Sequence, residues 1–168
     1  MITRLIDIAI SAWRQLLPWF IVDETKASIL LRFGKFQSSH HSGIHFKLPI
    51  VDKILTETIV FRCHDFYEQS LQTVDSGVIC ISIVCGYRVV DIKKYLLNCE
   101  SPDDVLKESS MSIIANRASK RTTEEIMSQK FLDDSLEIAN GNAMKYGIEI
   151  QSLGFINKFK YDIVLKTS

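Results

Sequence analysis

Apolar side chains in the first stretch of the chain fall at Ile2, Leu5, Ile6, Ala9, Ile10, Trp13, Leu16, Leu17 and Phe20, three and four positions apart. Thr3, Arg4, Asp7, Ser11, Arg14 and Gln15 take the opposite face. The spacing predicts an amphipathic helix over residues 1–22, kinked or ended at Pro18. Asp7 and Arg14 leave residues 16–22 as the longest unbroken apolar run, well short of the roughly 20 residues that cross a bilayer. Forcing the segment across would cost about 2.5–3.5 kcal/mol per central charge, against a return of about 0.3–0.6 kcal/mol per large apolar residue. A helix lying in the interface avoids that cost, with its charged face wet and its aromatic residues at the headgroups. The residues expected to meet lipid are Leu5, Ile6, Ile10, Trp13, Leu16, Leu17, Trp19, Phe20 and Ile21. The same face would also suit packing on the domain or on a neighbouring subunit. The cluster of Trp13, Trp19 and Phe20 favours lipid. Asp7 and the bulky residues 16–20 argue against a cleaved signal peptide.

The period then shortens to two. Ala27, Ile29 and Leu31 alternate with Ser28, Leu30 and Arg32, which predicts a strand over residues 25–33 ending at a Gly34 turn. Residues 37–43 read as a polar loop, and residues 44–48 alternate again up to Pro49. Further strands are expected at 54–62, 66–74 and 78–90, with Asp75, Ser76 and Gly77 as a turn; such a meander favours an antiparallel sheet. Ser101, Pro102, Asp103 and Asp104 then open a helix expected to run to Ala118. Thr122 to Glu125 carry a capping box for a short helix. A third helix over residues 129–146 stops at Gly147, and residues 148–156 return to strand character. Strands, then helices, then a last strand make an α+β domain. Its divisions are an amphipathic helix at 1–22, a folded body at 23–158 and a short tail at 159–168.

Composition narrows the function. A chain of 168 residues, 46% hydrophobic and 24% charged, has the size of one globular domain. Lys and Arg together number 20, as do Asp and Glu, so no overall basic field points to nucleic acid. Cys63, Cys80, Cys85 and Cys99 lack metal-ligand spacing and read as reduced, mostly buried thiols in a reducing compartment.

Several short blocks carry a resemblance. Arg32-Phe33-Gly34-Lys35 is followed by the run Gly43, Ile44, His45, Phe46, Lys47, Leu48, Pro49, Ile50, Val51, Asp52. Thr73, Val74, Asp75, Ser76, Gly77 and Val78 form a further block, as do Tyr87, Arg88, Val89, Val90 and Asp91. Residues 122–127 and the stretch Tyr146, Gly147, Ile148, Glu149, Ile150 complete the set. In order and spacing these blocks resemble the stomatin, prohibitin and flotillin (SPFH, or Band 7) domain family, over about residues 23–157. Tyr146 stands where that family often has tryptophan, and the sequence ends at Ser168, before the long helical region usual in the family. The resemblance implies a membrane-associated scaffold, peripheral or monotopic and on the cytoplasmic face. Its implied partners are copies of itself or a related SPFH protein, membrane lipids and, in some members, a membrane protease or channel. Assembly is then expected chiefly through the SPFH domain and the first helix.

No enzyme is expected. The chain lacks the glycine-rich phosphate loops and the nucleophile elbow, and no cofactor is implied. His40, His41 and His45 cluster without a fourth ligand in reach of the sequence, so no metal site is expected. His64 lies between Cys63 and Asp65, but neighbours in a strand face opposite ways. Lys93, Lys94, Arg117, Lys120 and Arg121 make small basic patches that read as solvated helix ends, with lipid headgroup contact as the alternative. Three functions are carried forward: a membrane scaffold, a structural subunit of a soluble or viral assembly, and an adaptor regulating a membrane protease or channel.

Overall fold

The computed structural model describes residues 17–75 and 77–161. Residues 1–16, and with them Leu5, Ile6, Ile10, Trp13 and Leu16, lie outside the described residues. The chain divides into two compact units, Met1–Val60 and Phe61–Ser168.

The first unit is built of β1 (Trp19–Val22), β2 (Lys26–Arg32), β3 (Lys35–His40), β4 (Gly43–Phe46) and β5 (Asp52–Thr58). β1 and β4 form an antiparallel ribbon, and β2 lies between β3 and β5 in a three-stranded antiparallel sheet. The central strand is buried along Ala27, Ser28, Ile29 and Leu30; burying such an Ile or Leu side chain contributes about 1.5–3 kcal/mol. Two sequence expectations change here. The helix expected through residue 22 does not extend that far, because Trp19–Val22 is strand β1. Pro18 cannot continue a helix, and four β-favouring residues follow it; the Lys47 N–H then donates to the Pro18 carbonyl at 2.8 Å. The stretch expected as a polar loop is in part strand β3, which takes its ladder bonds from β2 and needs no apolar face of its own. Phe33 and Gly34 close the β2–β3 hairpin with positive φ, 50° and 77°, the two-residue turn whose twist suits a hairpin.

The second unit holds β6 (Arg62–Gln72), β7 (Val78–Val89), α1 (Ile92–Leu97), α2 (Pro102–Ala118), α3 (Thr123–Ile126), α4 (Gln129–Ala143), a 3₁₀ turn at Met144–Tyr146 and β8 (Ile148–Tyr161). β7 is the central strand, paired antiparallel with β6 on one side and β8 on the other. The last strand thus returns to the sheet that the helices interrupt. α4 packs on β8, and α2 packs on α4 and β6. Ile79, Ile83, Cys85 and Tyr87 from the sheet, with Leu106, Ile114, Ile126 and Leu132 from the helices, are buried. The helix bounds match the sequence signals: Pro102 opens α2, and the capping box of Thr122 and Glu125 opens α3. Ser101 holds the N-cap position of α2 without a side-chain cap bond. α1, which the sequence reading did not anticipate, starts where Asp91 accepts the Lys94 N–H at 3.1 Å.

Candidate functional site

Strand chemistry sets the β1–β4 ribbon apart from the rest of the first unit. Trp19 lies opposite Phe46, and Ile21 opposite Ile44. Directly opposed residues share a face, and positions two apart along a strand do too. Trp19, Ile21, Ile44 and Phe46 therefore make one apolar face, and they are 48%, 70%, 70% and 78% exposed. Both faces of the ribbon are therefore largely apolar: the other carries Phe20, buried Val22 and His45. There the His45 ring lies 4.4 Å from His40 and 5.4 Å from Phe20, centroid to centroid. His45 Nε2 meets the His41 carbonyl at 2.7 Å, and His40 Nε2 meets the Ser38 hydroxyl at 2.8 Å. Burial, with His45 beside it, lowers the His40 pKa. The histidines thus underpin the ribbon, and among the described residues no group of three or more His, Cys, Asp or Glu could hold a metal ion.

The chain after β4 exposes further apolar side chains. Leu48 is half exposed, and Ile50 is 90% exposed with φ at 74°. A β-branched residue in the left-handed region is strained, so the turn must be held from outside. The Asp52 N–H donates to the Leu48 carbonyl at 3.1 Å, and the Leu48 N–H donates to Asp52 Oδ2 at 2.7 Å. Arg32 at the end of β2 grips the same carboxylate. Lys47 and Lys53 line one cleft with Ile50, Asp52 and Ile54.

Of the residues expected from sequence to meet lipid, Trp19 and Ile21 share the exposed face, Phe20 is turned to the histidines, and half-buried Leu17 lies beside Trp19 in a shallow depression. Ile44, Phe46, Leu48 and Ile50 are exposed as well, and the sequence reading does not single them out. Their signal was the alternation through residues 43–48, which shows two faces but not which of them is covered.

The remaining motif blocks meet one another within the second unit. Asp75 accepts from the Thr123 hydroxyl at 3.2 Å and the Thr123 N–H at 3.3 Å, and Thr73 Oγ1 also donates to it. Those bonds, Thr73 foremost, hold its pKa below the usual carboxylate range. The Gly147 carbonyl accepts from the N–H groups of Val90 and Asp91 at 2.9 and 3.1 Å. Arg88 lies opposite Glu149 and pairs with it at 2.7 Å. Arg62 stacks over the rings of Tyr87 and Tyr95, and the Tyr95 hydroxyl donates to Asp103 at 2.9 Å; burial, ahead of Asp103, pushes the Tyr95 pKa up to about 12. These polar groups fasten elements together.

A family model described as the SPFH domain / Band 7 family matches residues 20–166. The chain belongs to that family. Among curated relatives, this SPFH chain is similar to "Modulator of FtsH protease HflK" of Escherichia coli (strain K12), 24% identical over 111 residues, which cover 66% of this chain and 26% of that protein. It is 22% identical over 135 residues to an uncharacterised protein of Methanocaldococcus jannaschii, covering 79% of this chain and 68% of the other. A Band 7 protein of Drosophila melanogaster is 24% identical over 112 residues, covering 66% of this chain and 22% of that protein. The chain spans about a quarter of the length of the Escherichia coli relative, 26%. Among the described residues, no helix is long and apolar enough to cross a membrane.

Proposed function

We propose that this SPFH chain is a non-enzymatic, membrane-associated scaffold whose first unit lies against lipid through Trp19, Ile21, Ile44, Phe46, Leu48 and Ile50. The observation that carries this reading is the ribbon's outer face, on which four large apolar residues stand exposed together. Contiguous exposed apolar surface of this kind marks a partner or a membrane. Lipid is favoured over protein by the interfacial character of Trp19, by Lys47 and Lys53 beside Ile50, and by the amphipathic pattern of residues 1–16 that runs directly into β1. Leu5, Ile6, Ile10, Trp13, Leu16 and Leu17 would continue the same contact. Motif polar groups that satisfy one another suit a rigid platform better than a catalyst. The name of the Escherichia coli relative, a modulator of a protease, supports regulation of a protease as the scaffold's task, and copies of the chain or other SPFH proteins are its proposed neighbours. The free thiols suit a reducing compartment such as the cytoplasmic face.

Flotation with phosphatidylcholine vesicles tests the reading. The full chain should float, and the double variant Ile44→Asp, Ile50→Asp should lose most of that binding with its fold intact. Equal flotation of both would sink the lipid-facing role. If the double variant still floats but drops from oligomer to monomer in sedimentation, the face is a subunit interface instead.

A further inference from the structure

We propose that the second unit carries a phosphate-binding site between the end of α2 and the start of α4, in a cavity of about 210 Å³ lined by Arg117, Arg121, Lys130, Phe131, Glu125 and Asp134. Three cations face two carboxylates there. Each arginine leans on one acid of the chain, Arg117 Nη2 on Asp134 at 3.1 Å and Arg121 Nη1 on Glu125 at 3.5 Å. Glu125 is further committed through its second oxygen, which accepts the Thr122 N–H at 3.1 Å. The positive side is therefore in excess.

Arg117 is fixed at the cavity wall by its surroundings. Its guanidinium lies over the Phe131 ring, 5.8 Å from the centroid, and its Nε is shut off from solvent with no hydrogen-bond partner. A buried donor left without an acceptor is costly. α4 adds a second source of donors: its 15 residues begin at Gln129, directly after the Ser128 N-cap, so the Gln129 and Lys130 N–H groups and the positive end of the helix dipole lie beside the cavity, while the Phe131 N–H is capped by Ser128 Oγ at 3.3 Å.

The chemistry selects phosphate. A single carboxylate repeats what Asp134 and Glu125 already give. A phosphomonoester brings close to two negative charges and three acceptor oxygens, enough to engage a guanidinium, an ammonium and helix N–H groups together. A cavity of about 210 Å³ that opens to solvent has room for a phosphate group. The reading is independent of the lipid-facing ribbon, whose residues belong to the other unit.

Inorganic phosphate is the probe. Added to the full chain, it should raise the melting temperature where sodium chloride at the same ionic strength does not. Arg121→Gln and Lys130→Gln, both at exposed positions that leave the helices intact, should each weaken the apparent phosphate affinity about tenfold. Arg117→Gln should abolish it; should that variant not fold, the other two carry the test. No phosphate-specific rise in the wild type, or an equal rise in Arg121→Gln and Lys130→Gln, would overturn the site. Vesicles of phosphatidylcholine with and without phosphatidic acid separate a lipid headgroup from a free phosphate. A headgroup source predicts that Lys130→Gln loses only the phosphatidic-acid increment, and a free-phosphate source that no such increment exists in the wild type.

Discussion

Arg32 and Asp52 face each other across β2 and β5 and meet in a two-pronged ion pair, Nε to Oδ1 at 2.8 Å and Nη2 to Oδ2 at 3.0 Å. The pair joins the first motif block to the end of the second and braces the turn that presents Ile50. Arg32, with the Leu48 N–H, holds the Asp52 carboxyl below the usual carboxylate range, against the upward push of burial. A carboxylate whose folded pKa is depressed adds stability that is fully present above its unfolded pKa near 4 and is lost as the pH falls through the lower folded value. Asp52→Asn should therefore melt below the wild type at pH 6, and the gap should narrow towards pH 3. Melting curves at both pH values check this, and a constant gap would mean that the pair is not the support described.

Gly147 and Gly34 have nearly the same left-handed φ, 75° and 77°, in different surroundings. A Cβ on Gly147 would sit 2.2 Å from the Asp91 carbonyl oxygen, whereas one on Gly34 meets nothing within 4 Å. Gly34→Ala should cost only the conformational strain, about 1 kcal/mol. Gly147→Ala adds overpacking of the joint between β8 and α1 and should cost at least about 2 kcal/mol. Urea unfolding of the two variants measures the difference.

The thiols should react in an order set by exposure. Cys63 is exposed, Cys80 and Cys85 are buried, and burial, ahead of the neighbouring Cys63, pushes the Cys85 pKa up to about 12. Only the thiolate attacks a disulfide reagent. In native protein at pH 8, Cys63 should be modified first, and Cys85 only on unfolding; mass spectrometry of timed samples reads the order.

Ile50 sets local strain against the proposed lipid contact. Asparagine tolerates the left-handed region better than a β-branched residue. Ile50→Asn should therefore keep or raise the melting temperature while lowering vesicle binding. A loss of stability would show that Ile50 is held by packing and is not presented.

Where residues advertise their own local geometry, the fold was legible. Pro102, the Thr122 and Glu125 box and Gly147 act within a few positions of themselves, and the bounds they signalled hold. β3 was missed because Gln37, Ser38 and Ser39 owe their strand to pairing with β2, which no local pattern records. Trp19–Val22 was read as the end of a helix because its ladder partner, Gly43–Phe46, lies far along the chain. The site was half legible for the same reason. Alternation in β4 shows that Ile44 and Phe46 oppose His45, and only the pairing with β1 and the rings of Phe20 and His40 shows that the histidine is the inward residue. The Arg32–Asp52 pair was visible as two motif ends but not as a contact.

The most direct test of the lipid-facing ribbon is the fluorescence of Trp19. Trp13 and Trp19 are the chain's two tryptophans, so Trp13→Phe isolates the signal. Its emission should be quenched by vesicles of brominated phosphatidylcholine, most strongly with bromine near the headgroup end of the acyl chain, and Ile44→Asp should weaken the quenching. Trp19 emission that is the same with brominated and unbrominated lipid, on protein that floats with both, would contradict it.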